Sequence, residues 1–188
     1  LGDALTVDWR ALLGTGPLAQ RALIVANLPY SIATMLLIGW LEMEPWPPWY
    51  ERMVLMFQRE VAERIIAAPG TKPYGRLAVI SQWRTRPRIV MNLKPEAFTP
   101  PPKVSSAVVE LVPRERPEPP CSVKILGEVT AAAFGQRRKM LRSSLKALTA
   151  MPELLLREAG ISPELRGEQL TVEEFARLTE IVGRFRGT

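Results

Sequence analysis

The chain has 188 residues, 47% hydrophobic and 23% charged, with a net charge of +6; that suits one packed domain of ordinary size, or one domain plus a small appendage, with enough apolar material for a core. It holds no histidine and one cysteine, which excludes a Ser-His-Asp triad, a Cys-His pair, a His-ligated metal and an internal disulfide. No apolar run reaches the length of a membrane span and no signal peptide is visible. The lone Cys121 predicts a reducing, cytoplasmic setting, and the scattered carboxylates predict no metal.

In chain order, residues 1–5 read as the end of a strand. Residues 21–29, RALIVANLP, form a short buried-strand pattern. Residues 31–43 follow as an apolar helix stopped by Pro45, Pro47 and Pro48. Residues 52–57 read as a second buried strand, and 58–68 as an amphipathic helix closed by Pro69 and Gly70. Residues 76–84, RLAVISQWR, fit helix or strand equally. Residues 87–93 and 105–113 read as strands. Strands and helices alternate at first, and strands then follow one another, which predicts an α/β sheet with a partly antiparallel far edge.

Residues 112–122 carry Pro113, Pro117, Pro119 and Pro120 without apolar periodicity. They predict domains at 1–113 and 123–188 with a Pro-rich linker at 114–122. The second domain reads as all-helical: a long pattern over 123–148 with a potential break at Gly135, an N-cap at Ser162 before Pro163, and a capping box at Thr171 and Glu174.

The positive charge is clustered. Between Arg64 and Pro95 there are seven basic residues and no acid, and residues 137–146 hold five more. Unbalanced cations in blocks point to a polyanion, of which nucleic acid is the commonest, although a solvated face produces the same pattern. On one continuous helix, Arg138, Arg142 and Lys146 would share a stripe suited to phosphates.

The sharpest signal is Asn27-Leu28-Pro29-Tyr30, where a strand pattern meets a helix pattern. An exocyclic amine such as adenine's is a poor nucleophile because its lone pair is delocalised into the ring. Two acceptors, each taking one amine hydrogen, draw the nitrogen toward a tetrahedral shape and free that lone pair. The Asn27 side-chain oxygen and the Leu28 carbonyl can serve as those acceptors, Pro29 stiffens the backbone, and Tyr30 offers a stacking face. In open α/β sheets, ligands sit at the carboxyl ends of strands, where Asn27 falls. Taken alone, the motif also fits a plain strand-to-helix turn with an Asn cap.

NLPYSIAT (27–34), FQREVAERI (57–65), YGRLAVISQ (74–82), FTPPPKVSSAVVEL (98–111) and AFGQRRKMLRSSL (133–145) together resemble the KsgA-type rRNA adenine dimethyltransferases. The resemblance spans essentially the whole chain. It implies the C-terminal part of a Rossmann-like class I methyltransferase sheet plus a small helical domain. It also implies S-adenosylmethionine as donor and two adjacent adenosines near the 3′ end of small-subunit rRNA as targets. Carried over by position, Asn27 and the Leu28 carbonyl would accept the amine hydrogens, and Tyr30 and Phe98 would stack on opposite faces of the adenine. Asp3 would hydrogen-bond the donor's adenine beside Asn27, and Arg137, Arg138, Lys139 and Arg142 would grip rRNA, with Lys146 joining them by the spacing of the stripe. Phe98 also fits core filler, and Asp3 a turn residue.

The chain departs from the family where the donor's methionine and ribose would be held. Gly14 and Gly16 lie in no βαβ frame, and no acid occurs between Asp8 and Glu42. The expectation is that the chain begins at the end of the third strand of the full sheet, binds the donor weakly, is inactive alone, and exposes a sheet edge prone to self-association. Two other readings remain open: a non-catalytic rRNA-binding assembly module, and a large-subunit rRNA adenine methyltransferase of the macrolide-resistance type.

Overall fold

Ala33, Leu36, Leu37, Trp40 and Leu41 recur at the spacing of one helical face, and all five are buried. In the computed structural model, which describes Val7, Asp8, Ala11 and residues 22–187, that face covers one side of a four-stranded sheet. The elements are β1 (Ala22–Ala26), α1 (Tyr30–Glu42), β2 (Tyr50–Gln58), α2 (Arg59–Ile66), α3 (Arg76–Arg84), β3 (Thr85–Leu93), β4 (Ser106–Pro113), α4 (Val123–Gly135), α5 (Leu141–Ser144), α6 (Pro152–Glu158) and α7 (Val172–Arg186). The strand order is β1-β2-β4-β3. β1 runs parallel to β2, whereas β4 is antiparallel to both β2 and β3. The sheet is therefore mixed with an antiparallel far edge, as its sequence pattern predicts.

Alternation sorts the strand residues onto two faces. Met53, Leu55 and Phe57 of β2 and Ala107, Val109 and Leu111 of β4 pack with α1, α2 and Leu77 of α3 in one core. The opposite face carries Met56, Ser106 and Glu110, and at its β1 edge Leu23 and Val25 are 60% and 72% exposed. Glu110 sits between Arg52 and Arg88 and is salt-bridged to both. Its bond to Arg88 is the chief reason its carboxyl is held below the ordinary carboxylate range.

The segment that fits helix or strand in the sequence is the helix α3, and its environment explains the ambiguity. Leu77, Ala78, Val79, Ser81, Trp83 and Arg84 are all buried. Leu77 joins the sheet core, while Ala78, Val79 and Trp83 join a second core with α4, α6 and α7. A helix buried on most of its circumference loses the amphipathic period. The second core thus draws residues from both sides of the Pro-rich segment.

The long pattern over 123–148 breaks at Gly135, where its sequence allows a break: α4 ends there, a turn follows, and α5 restarts at Leu141. Two other expected helical features, the stripe of Arg138, Arg142 and Lys146 and the Ser162 cap, are corrected. Leu141 and Arg142 donate their backbone N–H groups to the carbonyls of Leu165 and Pro163 at 2.7 and 3.1 Å. These long-range bonds draw the chain off the α4 axis. Arg138, Arg142 and Lys146 therefore share no helical stripe. Likewise Ser162 caps no helix. Its hydroxyl donates to the Glu164 carboxylate at 2.7 Å within a turn, and that bond leads the causes that lower the Glu164 pKa. The Thr171–Glu174 capping box forms as expected, with reciprocal bonds of 2.8 and 3.1 Å.

Candidate active site

β1 ends at Ala26 and α1 begins at Tyr30, so Asn27, Leu28 and Pro29 make the whole connection. Pro29 occupies the N-cap position with φ −54° and ψ 129°. Its carbonyl accepts from the backbone N–H groups of Ile32 and Ala33 at 3.0 and 3.1 Å. The helix thus consumes the Pro29 carbonyl. Among the described residues, neither the Leu28 carbonyl nor the Asn27 side chain has a hydrogen-bond partner in this connection. Asn27 is exposed and Leu28 half-buried. Two acceptors therefore stand unengaged, one residue apart, at the carboxyl end of a strand.

Across from them runs the segment between β3 and β4. Phe98 follows a short 3-10 turn at Pro95–Ala97 and is half-buried. Prolines at 100, 101 and 102 fix φ and remove backbone donors, which makes a stiff rim. A cleft of about 360 Å³ is lined by Asn27, Leu28, Pro29, Tyr30 and Phe98 together with Met56, Pro100 and Pro102. The five residues singled out in the sequence as target-base contacts lie around one cavity. Met56, from β2, forms part of its lining and is 8% exposed; an apolar strand residue gives no sequence signal of such a position.

Tyr30 is fixed at its far end. Its hydroxyl lies 2.6 Å from the Ser106 hydroxyl, 76 residues away in sequence. Ser106 is fully buried at the start of β4, opposite Gln58 and Leu93. It closes the Phe-x-Pro-x-Pro-x-Val-x-Ser block that Phe98 opens, so the block was visible in the sequence although this contact was not.

The expected donor contact Asp3, with Gly14 and Gly16, lies outside the described residues. Among the described residues there is no cluster of acids, histidines or cysteines able to hold a metal, and no helix is long and apolar enough to cross a membrane.

The basic residues separate by environment. Arg84 is buried, with its guanidinium 4.3 Å from the Trp46 ring centre and 4.5 Å from that of Trp83, and is salt-bridged to Glu44. Arg88 is tied to Glu110. Neither is a free cation on a nucleic-acid face, which corrects the reading of 64–95 as one basic cluster. Arg64, Lys72 and Arg76 are exposed, make no ion pair among the described residues, and line a second cleft of about 630 Å³ with Arg137. Arg137 is itself engaged: it donates to the Lys72 carbonyl at 2.7 Å and pairs with Glu168 at 3.3 Å. Arg138, Lys139 and Lys146 are exposed, and Arg142 lies 3.9 Å from Glu164.

Comparison with known proteins gives a consistent result. The family model described as ribosomal RNA adenine dimethylase matches residues 2–183. The ribosomal RNA small subunit methyltransferase A of Xanthobacter autotrophicus is 55% identical over 185 residues, which is 98% of this chain and 62% of that protein. The protein of the same name from Mesorhizobium japonicum is 57% identical over 182 residues, covering 96% of this chain and 64% of that one. This chain thus spans less than two thirds of the length of these relatives. Among solved structures, a dimethyladenosine transferase from Plasmodium falciparum superposes with a TM-score of 0.72 at 26% identity, covering 83% of this chain and 65% of that one. The 23S rRNA methyltransferase ErmE, at 23% identity and a TM-score of 0.60 over 91% of this chain and 69% of its own, shares the fold.

Proposed function

Since the chain belongs to the ribosomal RNA adenine dimethylase family, we propose that it carries the target-base half of an active site that dimethylates the N6 amine of two adjacent adenosines near the 3′ end of small-subunit rRNA. The observation that carries the reading is the convergence of Asn27, Leu28, Pro29, Tyr30 and Phe98 on one cleft. The names of the bacterial relatives support the small-subunit substrate.

An adenine turned out of its helix enters between Tyr30 and Phe98. The Asn27 side-chain oxygen and the Leu28 carbonyl accept hydrogen bonds from its amine hydrogens and hold the nitrogen lone pair toward the methyl source; the proton lost on methylation leaves to solvent. The stiff Pro29 connection keeps the two acceptors in register before the base arrives, so the acceleration comes from positioning and pre-aimed dipoles. S-adenosylmethionine, when bound, supplies an electrophilic methyl group. Asn27 fits as one contact to it, but the described residues include no Gly-rich turn at a strand end and no acid beside Asn27 to hold the rest of the donor.

The test is labelled methyl transfer to undermethylated small ribosomal subunits by the full reading frame of the source gene, with Asn27→Ala in parallel. Loss of one of two pre-aimed acceptors lowers kcat about 10²- to 10³-fold and leaves RNA affinity intact. Full activity in Asn27→Ala refutes the mechanism. RNA binding without transfer by the wild type refutes the enzyme reading in favour of an assembly module.

A further inference from the structure

Tyr30 reaches the cleft from a helix N-terminus, and Phe98 from a loop. Neither position holds an aromatic ring rigid by itself. The 2.6 Å contact between the Tyr30 and Ser106 hydroxyls ties one ring to the sheet. Ser106 is a firm anchor: it has no exposed surface and pairs with strands on both sides. The preceding residue, Ser105, accepts a 2.9 Å bond from the Arg59 backbone N–H. Four residues further along the same face, Glu110 is clamped by Arg52 and Arg88. The loop that carries Phe98 runs directly into Ser106. The residue that holds the Tyr30 ring is therefore also the C-terminal fixing point of the loop that presents Phe98.

From this geometry we infer that Ser106 is a positioning residue for base stacking: its hydroxyl locks the Tyr30 ring against the strand that ends the Phe98 loop, so that the two jaws form one preset slot. Ser106 touches no substrate and acts only through Tyr30. The inference rests on the proposed target-base site, and it makes a kinetic distinction within it. Small-subunit affinity comes mainly from many phosphate contacts, so an unlocked ring leaves KM for the subunit unchanged and lowers kcat, because fewer bound bases sit in reacting geometry.

Two measurements test it. In the full-reading-frame enzyme, Ser106→Ala and Tyr30→Phe each lower kcat about three- to tenfold, the size of one neutral side-chain hydrogen bond. The double variant loses no more than either single one, because both remove the same bond. Ser106→Thr, which keeps the hydroxyl, recovers most of the rate. If Ser106→Ala lowers kcat as much in the Tyr30→Phe background as in the wild type, Ser106 acts by packing alone and the inference fails. It also fails if Ser106→Ala leaves kcat unchanged. The second measurement needs no turnover. The 188-residue chain has three tyrosines, so in this chain tyrosine labelled at a single ring carbon gives three NMR signals, and Tyr30→Phe assigns one. Ser106→Ala shifts the Tyr30 signal and leaves those of Tyr50 and Tyr74 in place; an unmoved Tyr30 signal overturns the lock even if the wild-type enzyme transfers no methyl group. An intact lock in a protein without transfer refutes the enzymatic reading and not the contact.

Discussion

Arg84 is the clearest case of a cation whose sequence neighbourhood suggests nucleic acid and whose structure makes it a rivet. Its side chain is 2% exposed, lies between the rings of Trp46 and Trp83, and reaches Glu44. The same corner is closed by the Trp46 indole N–H on the Arg114 carbonyl at 2.7 Å and the Trp83 indole N–H on the Pro119 carbonyl at 3.0 Å. Replacing Arg84 by alanine removes two desolvated cation–π contacts, together worth about 2–3 kcal/mol because they share one cation. The Glu44 side chain is 57% exposed, so that pair adds at most about 1 kcal/mol. Against this, the buried guanidinium has an Nε without a hydrogen-bond partner, and its desolvation cost disappears with it. The net loss is about 2–3 kcal/mol, or roughly 4–12 °C in Tm for a chain of this size. Urea and thermal unfolding measure that loss, and RNA binding across a salt series provides the contrast. Arg84→Ala should leave the slope of log K against log salt unchanged. The double replacement of Arg64 and Arg76 by alanine should flatten the slope by about 0.7–0.9 per lost phosphate contact while sparing stability. A stable Arg84→Ala protein with a flattened slope would refute this division of the cations.

Glu110 gives a pH-dependent companion. Hydrogen bonding to Arg88, followed by the nearby Arg88 and Arg52 charges, holds its folded pKa below the ordinary 4.5. Its contribution is therefore present above about pH 4.5 and is lost as pH falls through the lower folded value; the stability difference between wild type and Glu110→Gln, read from urea midpoints, should shrink on acidification. Gly167→Ala tests a close approach. A Cβ there would meet the Ala133 carbonyl oxygen at 3.0 Å, against backbone, and the variant should lose about 1–3 kcal/mol in urea unfolding.

Between residues 22 and 113 the strands and the helices other than α3 were legible from their periods: the 33, 36, 37, 40, 41 face of α1, and the apolar runs of β2 and β4 between turn signals. Local chemistry also made the Thr171–Glu174 cap readable, since both partners lie within one helical turn. What escaped the sequence depends on distant partners. α3 reads ambiguously because it is shared by two cores. The break at Gly135 is marked by the glycine itself, but the course of the chain beyond it is held by carbonyls at 163 and 165 that no local pattern announces. Asn27-Leu28-Pro29-Tyr30 and Phe98 stood out as separate motifs, while the bond that joins them through Ser106 crosses 76 residues. Arg84 reads as surface charge because only the fold brings Trp46 over it.

The broken helix changes what the 137–146 cations do. On a continuous α4, successive contacts one turn apart would lie about 5.4 Å from one another along a straight line, and Arg138, Arg142 and Lys146 would act alike. In the turn that is actually formed, Arg137 points back to the Lys72 carbonyl and Glu168, and so ties the C-terminal helices to the 67–75 loop. Arg138 and Lys139 are exposed beside it without an ion pair among the described residues. A charge-assisted bond to a carbonyl is worth about 1.5–3 kcal/mol when sheltered; Arg137 is 48% exposed in its side chain, which reduces the figure to about 1 kcal/mol. Arg137→Ala should then raise hydrogen exchange in the 67–75 loop and lower the urea midpoint slightly. Replacing Arg138 and Lys139 by alanine should weaken RNA binding and flatten its salt slope, with loop exchange unchanged. Equal effects of all three on the salt slope, with no change in loop exchange for Arg137→Ala, would mean that the turn presents one undifferentiated patch and that the Arg137 latch has no energetic weight.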